Sequence, residues 1–318
     1  MGSADGQQPA SRDDEDARGD AGAPTLRGLL ASVRAAVRSR PPTDLFLLAL
    51  PVPTLLVAVS LMPGTEAWQL SLATPSVVES RWALWTAFAS SFVHTDPIHL
   101  ADNVVNYWLL VAVAYPLTVV AGWRRRLFWF AAAFLVVVPL VSAWATLVAI
   151  GGLTDAPTAG FSDVNSALLG YLVVVWFAAL AAESDRARSE GSAGVDPRWA
   201  IVAAFASLAL AYLAPSGAGY FPPLPAVGSL FAVGAVLAAA GLYAAVGRPR
   251  VSGLGLPPER ELLYVTGASV AAAGVIGSLV LVPFGSNVFA HLAGYVVGVT
   301  VPFVGVLADS ATDDTATG

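Results

Sequence analysis

Long apolar stretches, separated by short polar ones, run through most of the chain. A helix that crosses a bilayer takes about 20 mostly apolar residues. Eight stretches meet or approach that length: 44–62, 97–121, 126–150, 162–182, 199–214, 224–246, 262–284 and 287–308. The fifth is the shortest. This pattern predicts an all-α polytopic membrane protein with about eight transmembrane helices in a domain covering 44–308. Residues 1–24 are polar, Gly/Asp-rich and aperiodic, which predicts a disordered tail. Over 25–43, Leu26, Leu29, Leu30, Val33 and Val37 recur at helical spacing between Arg27, Arg34, Arg38 and Arg40. That is the pattern of a basic amphipathic helix lying on the cytoplasmic leaflet. Residues 309–318 read as an acidic C-terminal tail. The segment between the first two spans is too polar to cross and too aromatic to lie free in water. Its Trp68, Trp82 and Trp85 point to the membrane interface.

Composition agrees with the pattern. Hydrophobic residues make up 56% of the chain and charged residues 12%, about half the roughly 25% usual for a soluble globular protein. A soluble fold of this size would have too few charges to cover its surface. With no cysteine there is no disulfide, thiol nucleophile or thiolate metal site. Three histidines and two methionines give poor support to a redox metal centre, so no metal and no cofactor is expected. The net charge of −6 argues against nucleic acid as a partner, and leaves the lipid bilayer as the expected surroundings. All 16 basic residues are arginine. This lysine-free, acidic-tailed, Ala/Val/Gly-rich composition resembles that of haloarchaeal proteins, a GC-rich actinobacterium being the other reading. In an eight-helix arrangement 15 of the 16 arginines fall on one side, leaving Arg81 opposite. By the positive-inside rule both termini are then cytoplasmic, and the chain is expected in the cell membrane.

The candidate chemistry sits at the external ends of three predicted helices. In the run from Phe92 to Asn103, Asp96-Pro97 has the form of an N-cap followed by proline at the first helical position. His94 then lies just outside the helix. His99 and Asn103, four apart, share a face one turn inside it. Polar glue between helices would account for that pair, and so would a functional site, because intramembrane polar groups are costly. Ser162 opens the fourth predicted span, where its hydroxyl could serve as an N-cap. Ser162, Ser166 and Gly170 form a stripe on that span, and Ala290, Gly294 and Gly298 form a small-residue stripe around His291 on the last one. Such stripes permit close helix contact. Counting crossings places Ser162 and His291 on the same side of the bilayer, a plausible pairing of nucleophile and base.

These three elements together resemble the rhomboid family of intramembrane serine proteases. The family's His-x4-His-x3-Asn element is matched at His94, His99 and Asn103, its Gly-x-Ser element at Gly160 and Ser162, and its Ala-His-x2-Gly-x3-Gly element at Ala290, His291, Gly294 and Gly298. The resemblance covers about 44–182 and 262–308. It implies a six-helix core, here with two extra helices, and a protease whose nucleophile is Ser162 and whose general base is His291. It further implies an oxyanion hole from His99, Asn103 and the Ser162 N–H, with His94 shaping a water-accessible cavity. Gly160, Gly170, Ala290, Gly294 and Gly298 would serve close packing. The implied substrate is a single-pass transmembrane protein, cut in or near its membrane segment.

Four features depart from the family pattern. Asp163 follows the serine where glycine is usual, and its carboxylate is expected to point outward to water. Ser166 stands where many members have tyrosine, and Trp85-Thr86 replaces a common Trp-Arg pair. Three predicted spans, not one, separate Ser162 from His291, and which two are additional stays open. The first two departures motivate an alternative, a catalytically inactive relative that binds transmembrane clients. A transporter is a third reading, supported only by Gly/Pro-interrupted segments such as 216–225.

Overall fold

The first apolar stretch folds as two short helices in line, α1 (Pro42–Ala49) and α2 (Pro51–Leu61). Pro51 has no N–H with which to continue the helical ladder, and the break falls at Leu50. On either side Leu50 still donates to Phe46 and Thr54 to Leu50, so the two halves act as one candidate span, Thr43–Leu61. The structure, a computed structural model, describes residues 42–188, 194–214, 224–247, 258–282 and 286–316, with 249 and 256. The tail expected at 1–24 and nearly all of the amphipathic helix expected at 25–43 lie outside the described residues.

After α2 the chain builds a folded interfacial layer. It contains a two-residue strand β1 (Leu70–Ser71) and the short helix α3 (Arg81–Ala89). β1 pairs antiparallel with β2 (Pro157–Thr158), Leu70 opposite Thr158, which draws the loop before Ser162 against this layer. An aromatic ladder runs the same way, from Trp68 through Trp85, Phe88 and Phe92 to Phe161. The membrane domain continues with α4 (Pro97–Val120), α5 (Arg124–Ile150), α6 (Ser162–Arg188), α7 (Ala200–Leu213), α8 (Pro225–Val246), α9 (Pro258–Val275) and α10 (Val288–Ala316). As expected from Asp96-Pro97, the Asp96 carboxylate accepts from the Ile98 N–H at 2.9 Å and caps α4. The backbone of α10 stays helical to Ala316, through most of the tail expected at 309–318.

α6 is the central post. Its candidate span is 89% buried, and Tyr171, Leu172, Val174 and Val175 are sealed off on all sides. α10 lies along it in parallel: Gly294 meets Asp163, Gly298 meets Ala167, and Gly170 meets Tyr295 to Val299, the numbers rising together. A Cβ on Gly294 or Gly298 would run into the carbonyl oxygen of Asp163 or Ala167. Both glycines are therefore required by the approach of two backbones, the expected use of small residues where lipid supplies no hydrophobic drive between helices.

Seven of the described helices are long and apolar enough to cross a membrane. The fifth predicted stretch is the exception. With its preceding turn it covers Pro197–Leu213, about 25 Å at 1.5 Å per residue against a hydrocarbon core of about 30 Å. The adjacent starts of the parallel helices α6 and α10 nevertheless demand an odd number of crossings between them. Since α8 and α9 both qualify, α7 must make the third. α7 and α8 pack chiefly on each other, and α8 buries only Gly228. α9 instead returns to α4 and α6. Set against the six-helix core that the resemblance implies, the two additional helices are α7 and α8.

Candidate active site

Gly160 and Phe161 bring the chain into α6 along a fixed path. Gly160 has φ +124°, and its N–H donates to Ser90 O at 3.0 Å. A Cβ there would stand 2.5 Å from Cε1 of His99, so glycine is needed both for the backbone and for the ring that lies over it. Gly160 thus packs against a side chain in the loop, whereas Gly170, Gly294 and Gly298 lie between helices. Phe161 is fully buried against Phe92 and Tyr107, and its N–H points at His94 Nε2, 3.4 Å away.

Ser162 follows, and its hydroxyl lies 2.8 Å from His291 Nε2. The other ring nitrogen, Nδ1, is 2.9 Å from Ser278 O. A carbonyl oxygen can only accept, so Nδ1 carries the proton and Nε2 turns its lone pair to the Ser162 O–H. Ser278 belongs to a π-helical turn, Ile276–Val280, that closes α9. Residue 283, which a π turn would offer to the Ser278 carbonyl, is proline and has no N–H. That carbonyl is free to orient the histidine, the role a carboxylate fills in a triad. Sequence reasoning missed Ser278; the proline five residues on is the signal that could have found it.

Asp163 does not point outward. It is 2% exposed, and its carboxylate accepts from Ser91 Oγ at 2.7 Å, Ser142 Oγ at 2.5 Å and the Val164 N–H at 2.7 Å. The two hydroxyls, from the interfacial layer and from α5, supply donors on the inner side and hold it there. Asp163 thereby ties the first turn of α6 to the interfacial layer and to α5. Ser166 donates to Ser162 O at 2.8 Å, a bond within α6.

The wall beside the dyad comes from α4. The Asn103 amide donates to His99 O at 3.1 Å and to His94 Nε2, also 3.1 Å away. The His94 and His99 rings meet edge to face with centroids 5.2 Å apart. Burial, with the His99 charge second, lowers the His94 pKa to about 4, so this ring is a neutral acceptor at ordinary pH. Asn287, just ahead of α10, accepts from the Ala290 N–H and donates to Thr146 and Thr158. That joins the base's helix to α5 and β2. Ser162, His291, His94, His99, Asn103 and Ala290 all line one cavity of about 970 Å³. Among the described residues its walls hold the carboxylates Asp96, Asp102 and Asp163 and no arginine. Among the described residues no three His, Cys, Asp or Glu side chains converge as a metal-ligand set.

Residues 81–189 match the family model for the Rhomboid domain. The match runs from α3 to the end of α6 and takes in His94, His99, Asn103, Gly160 and Ser162. No curated protein and no solved structure matches the chain.

Proposed function

We propose that this chain, a multi-pass membrane protein of the rhomboid family, is an intramembrane serine endopeptidase that cuts a single-pass transmembrane protein in or near its membrane segment. The observation that carries the reading is the Ser162–His291 contact of 2.8 Å, with His291 held in the right tautomer by Ser278 O. His291 Nε2 takes the hydroxyl proton as Ser162 Oγ bonds to the scissile carbonyl carbon. The negative charge that develops on the carbonyl oxygen is met by the Ser162 N–H at the positive end of α6, and by His99 and Asn103. Collapse breaks the C–N bond as His291 returns its proton to the leaving amine. Water, deprotonated by the same histidine, then hydrolyses the ester. The substrate helix must unwind first, because a hydrogen-bonded helix does not offer its carbonyls.

The client-binding alternative drew on Asp163 and Ser166. Both are engaged in bonds that leave the dyad in contact, which favours the protease. Placement in the cell membrane with cytoplasmic termini belongs to the same proposal. Serine-directed fluorophosphonate labelling of the reconstituted protein tests it, together with cleavage of a transmembrane substrate. Both signals are expected in the wild type, and both should vanish in Ser162→Ala and His291→Ala. Labelling that persists in Ser162→Ala would remove the assignment.

A further inference from the structure

Asn165 lies three residues past the nucleophile on the first turn of α6 and is 7% exposed. Its side-chain N–H groups go to one residue: Nδ2 donates to the Asn103 backbone carbonyl at 3.0 Å and to the Asn103 side-chain Oδ1 at 3.1 Å. The amide of Asn103 is therefore gripped at both ends. Asn165 holds its oxygen from α6, while His94 and His99 O accept from its nitrogen. Asn165 Oδ1 is buried and, among the described residues, has no hydrogen-bond partner. A buried acceptor left in that state is costly, and valine or leucine would avoid the cost. What asparagine adds here is its pair of N–H groups.

We infer that Asn165 is a positioning residue for the oxyanion site, an inference that rests on the protease reading above. Asn165 and Ser162 share one helical turn, so the bridge to Asn103 sets the amide at a fixed place relative to the nucleophile. In the resting protein both N–H groups of Asn103 are engaged. An oxyanion can draw one of them from His94 or from His99 O, because a charged acceptor makes the stronger bond. While the donor end changes partner, the oxygen end must stay anchored. An amide free to rotate would present Oδ1 to the oxyanion, acceptor against acceptor. The contribution arises as charge develops, so it belongs in kcat and not in KM.

The experiment is a double-mutant cycle on the reconstituted full chain, measuring cleavage of a transmembrane substrate by the wild type, Asn165→Leu, Asn103→Ala and the double variant. Asn165→Leu removes the donor at similar volume and should lower kcat by about tenfold or more, part of what losing an oxyanion donor costs. KM should stay within about twofold. The double variant should match Asn103→Ala alone, because without that amide there is nothing left to position. Asn165→Asp, which sets a carboxylate against two acceptor oxygens, should be at least as slow as Asn165→Leu. If the leucine variant does not fold, Asn165→Ala in the same cycle decides. A folded variant with unchanged kcat, a loss confined to KM, or additive losses in the double variant each overturn the inference. Wild-type turnover that survives Ser162→Ala removes the protease reading and this inference with it. Ser162-dependent turnover that ignores Asn165 removes the inference alone.

Discussion

Asp163 accepts from Ser91, Ser142 and the Val164 N–H, so replacing it changes more than a charge. In Asp163→Asn the amide oxygen can keep the Val164 bond while the two serines turn to accept from the amide nitrogen. Asp163→Ala leaves the Ser91 hydroxyl and the Val164 N–H without a partner at a buried site, while Ser142 keeps the Pro139 carbonyl, at about 1–3 kcal/mol for each group left unsatisfied. Thermal unfolding should therefore rank the variants wild type, Asn, then Ala, with a clear drop at Ala. Equal melting temperatures would mean that water replaces the carboxylate without cost. His94 carries a pH dependence. Its pKa falls from 6.5 to about 4 in the folded protein, so the unfolded chain binds a proton that the folded chain refuses. The stability is fully present above about 6.5, declines as pH falls toward about 4 and is level below that, a span of up to about 3 kcal/mol. His94→Gln, which cannot titrate, should show a shallower fall in Tm over the same window. An unchanged slope would assign the pH dependence to other groups.

The contact between α6 and α10 sets the distance between nucleophile and base, and two glycines set that contact. Adding a methyl group at Gly298 pushes against the Ala167 carbonyl oxygen, and backbone cannot step aside as a flexible side chain can. Gly298→Ala should cost about 1–3 kcal/mol of stability, the usual range for overpacking, and should slow fluorophosphonate labelling of Ser162 by drawing the helices apart. Retained stability together with full labelling would show that the pair has room to spare. α9 is held at both ends. At one end Glu183 of α6 pairs with Arg260, and the Trp176 indole N–H donates to Tyr264 O at 2.8 Å. At the other, Ser278 O receives His291 Nδ1–H. A helix that lines the cavity is in this way connected to the tautomer of the base.

The arrangement of all the helices makes a topological prediction in which α7 is the test. If α7 crosses, the loop between α8 and α9 is on the same side as the Arg124–Arg126 loop, and Asp155 and Ser286 are on the other. Since the chain has no native cysteine, single cysteines report without background. Pro249→Cys and Gly122→Cys should label only from the cytoplasmic side, Asp155→Cys and Ser286→Cys only from outside. External labelling at 249 would mean that α7 lies in the membrane without crossing it, and the count of eight would fall.

Much of this was legible from local properties. In hydrocarbon each backbone polar group must find its partner within its own segment, so hydropathy alone located the helices, including the marginal one at 199–214. Arginine spacing suggested an orientation, and parity put Ser162 and His291 at one level before any contact was known. The glycine stripes were readable for the same reason: period 3.6 is a property of one helix. What stayed hidden depends on which helices touch. Asp163 looked like an exposed helix-start carboxylate, because the two serines that draw it inward are 72 and 21 positions away. Asn165 had no part in the sequence reading and gained one only when α4 stood beside α6. Which helices are additional had no local signature, and Pro283 could mark a free carbonyl at Ser278 without saying that His291 would meet it. Such features are set by side chains meeting across helix interfaces, where bond geometry and available space, not composition, choose the partner.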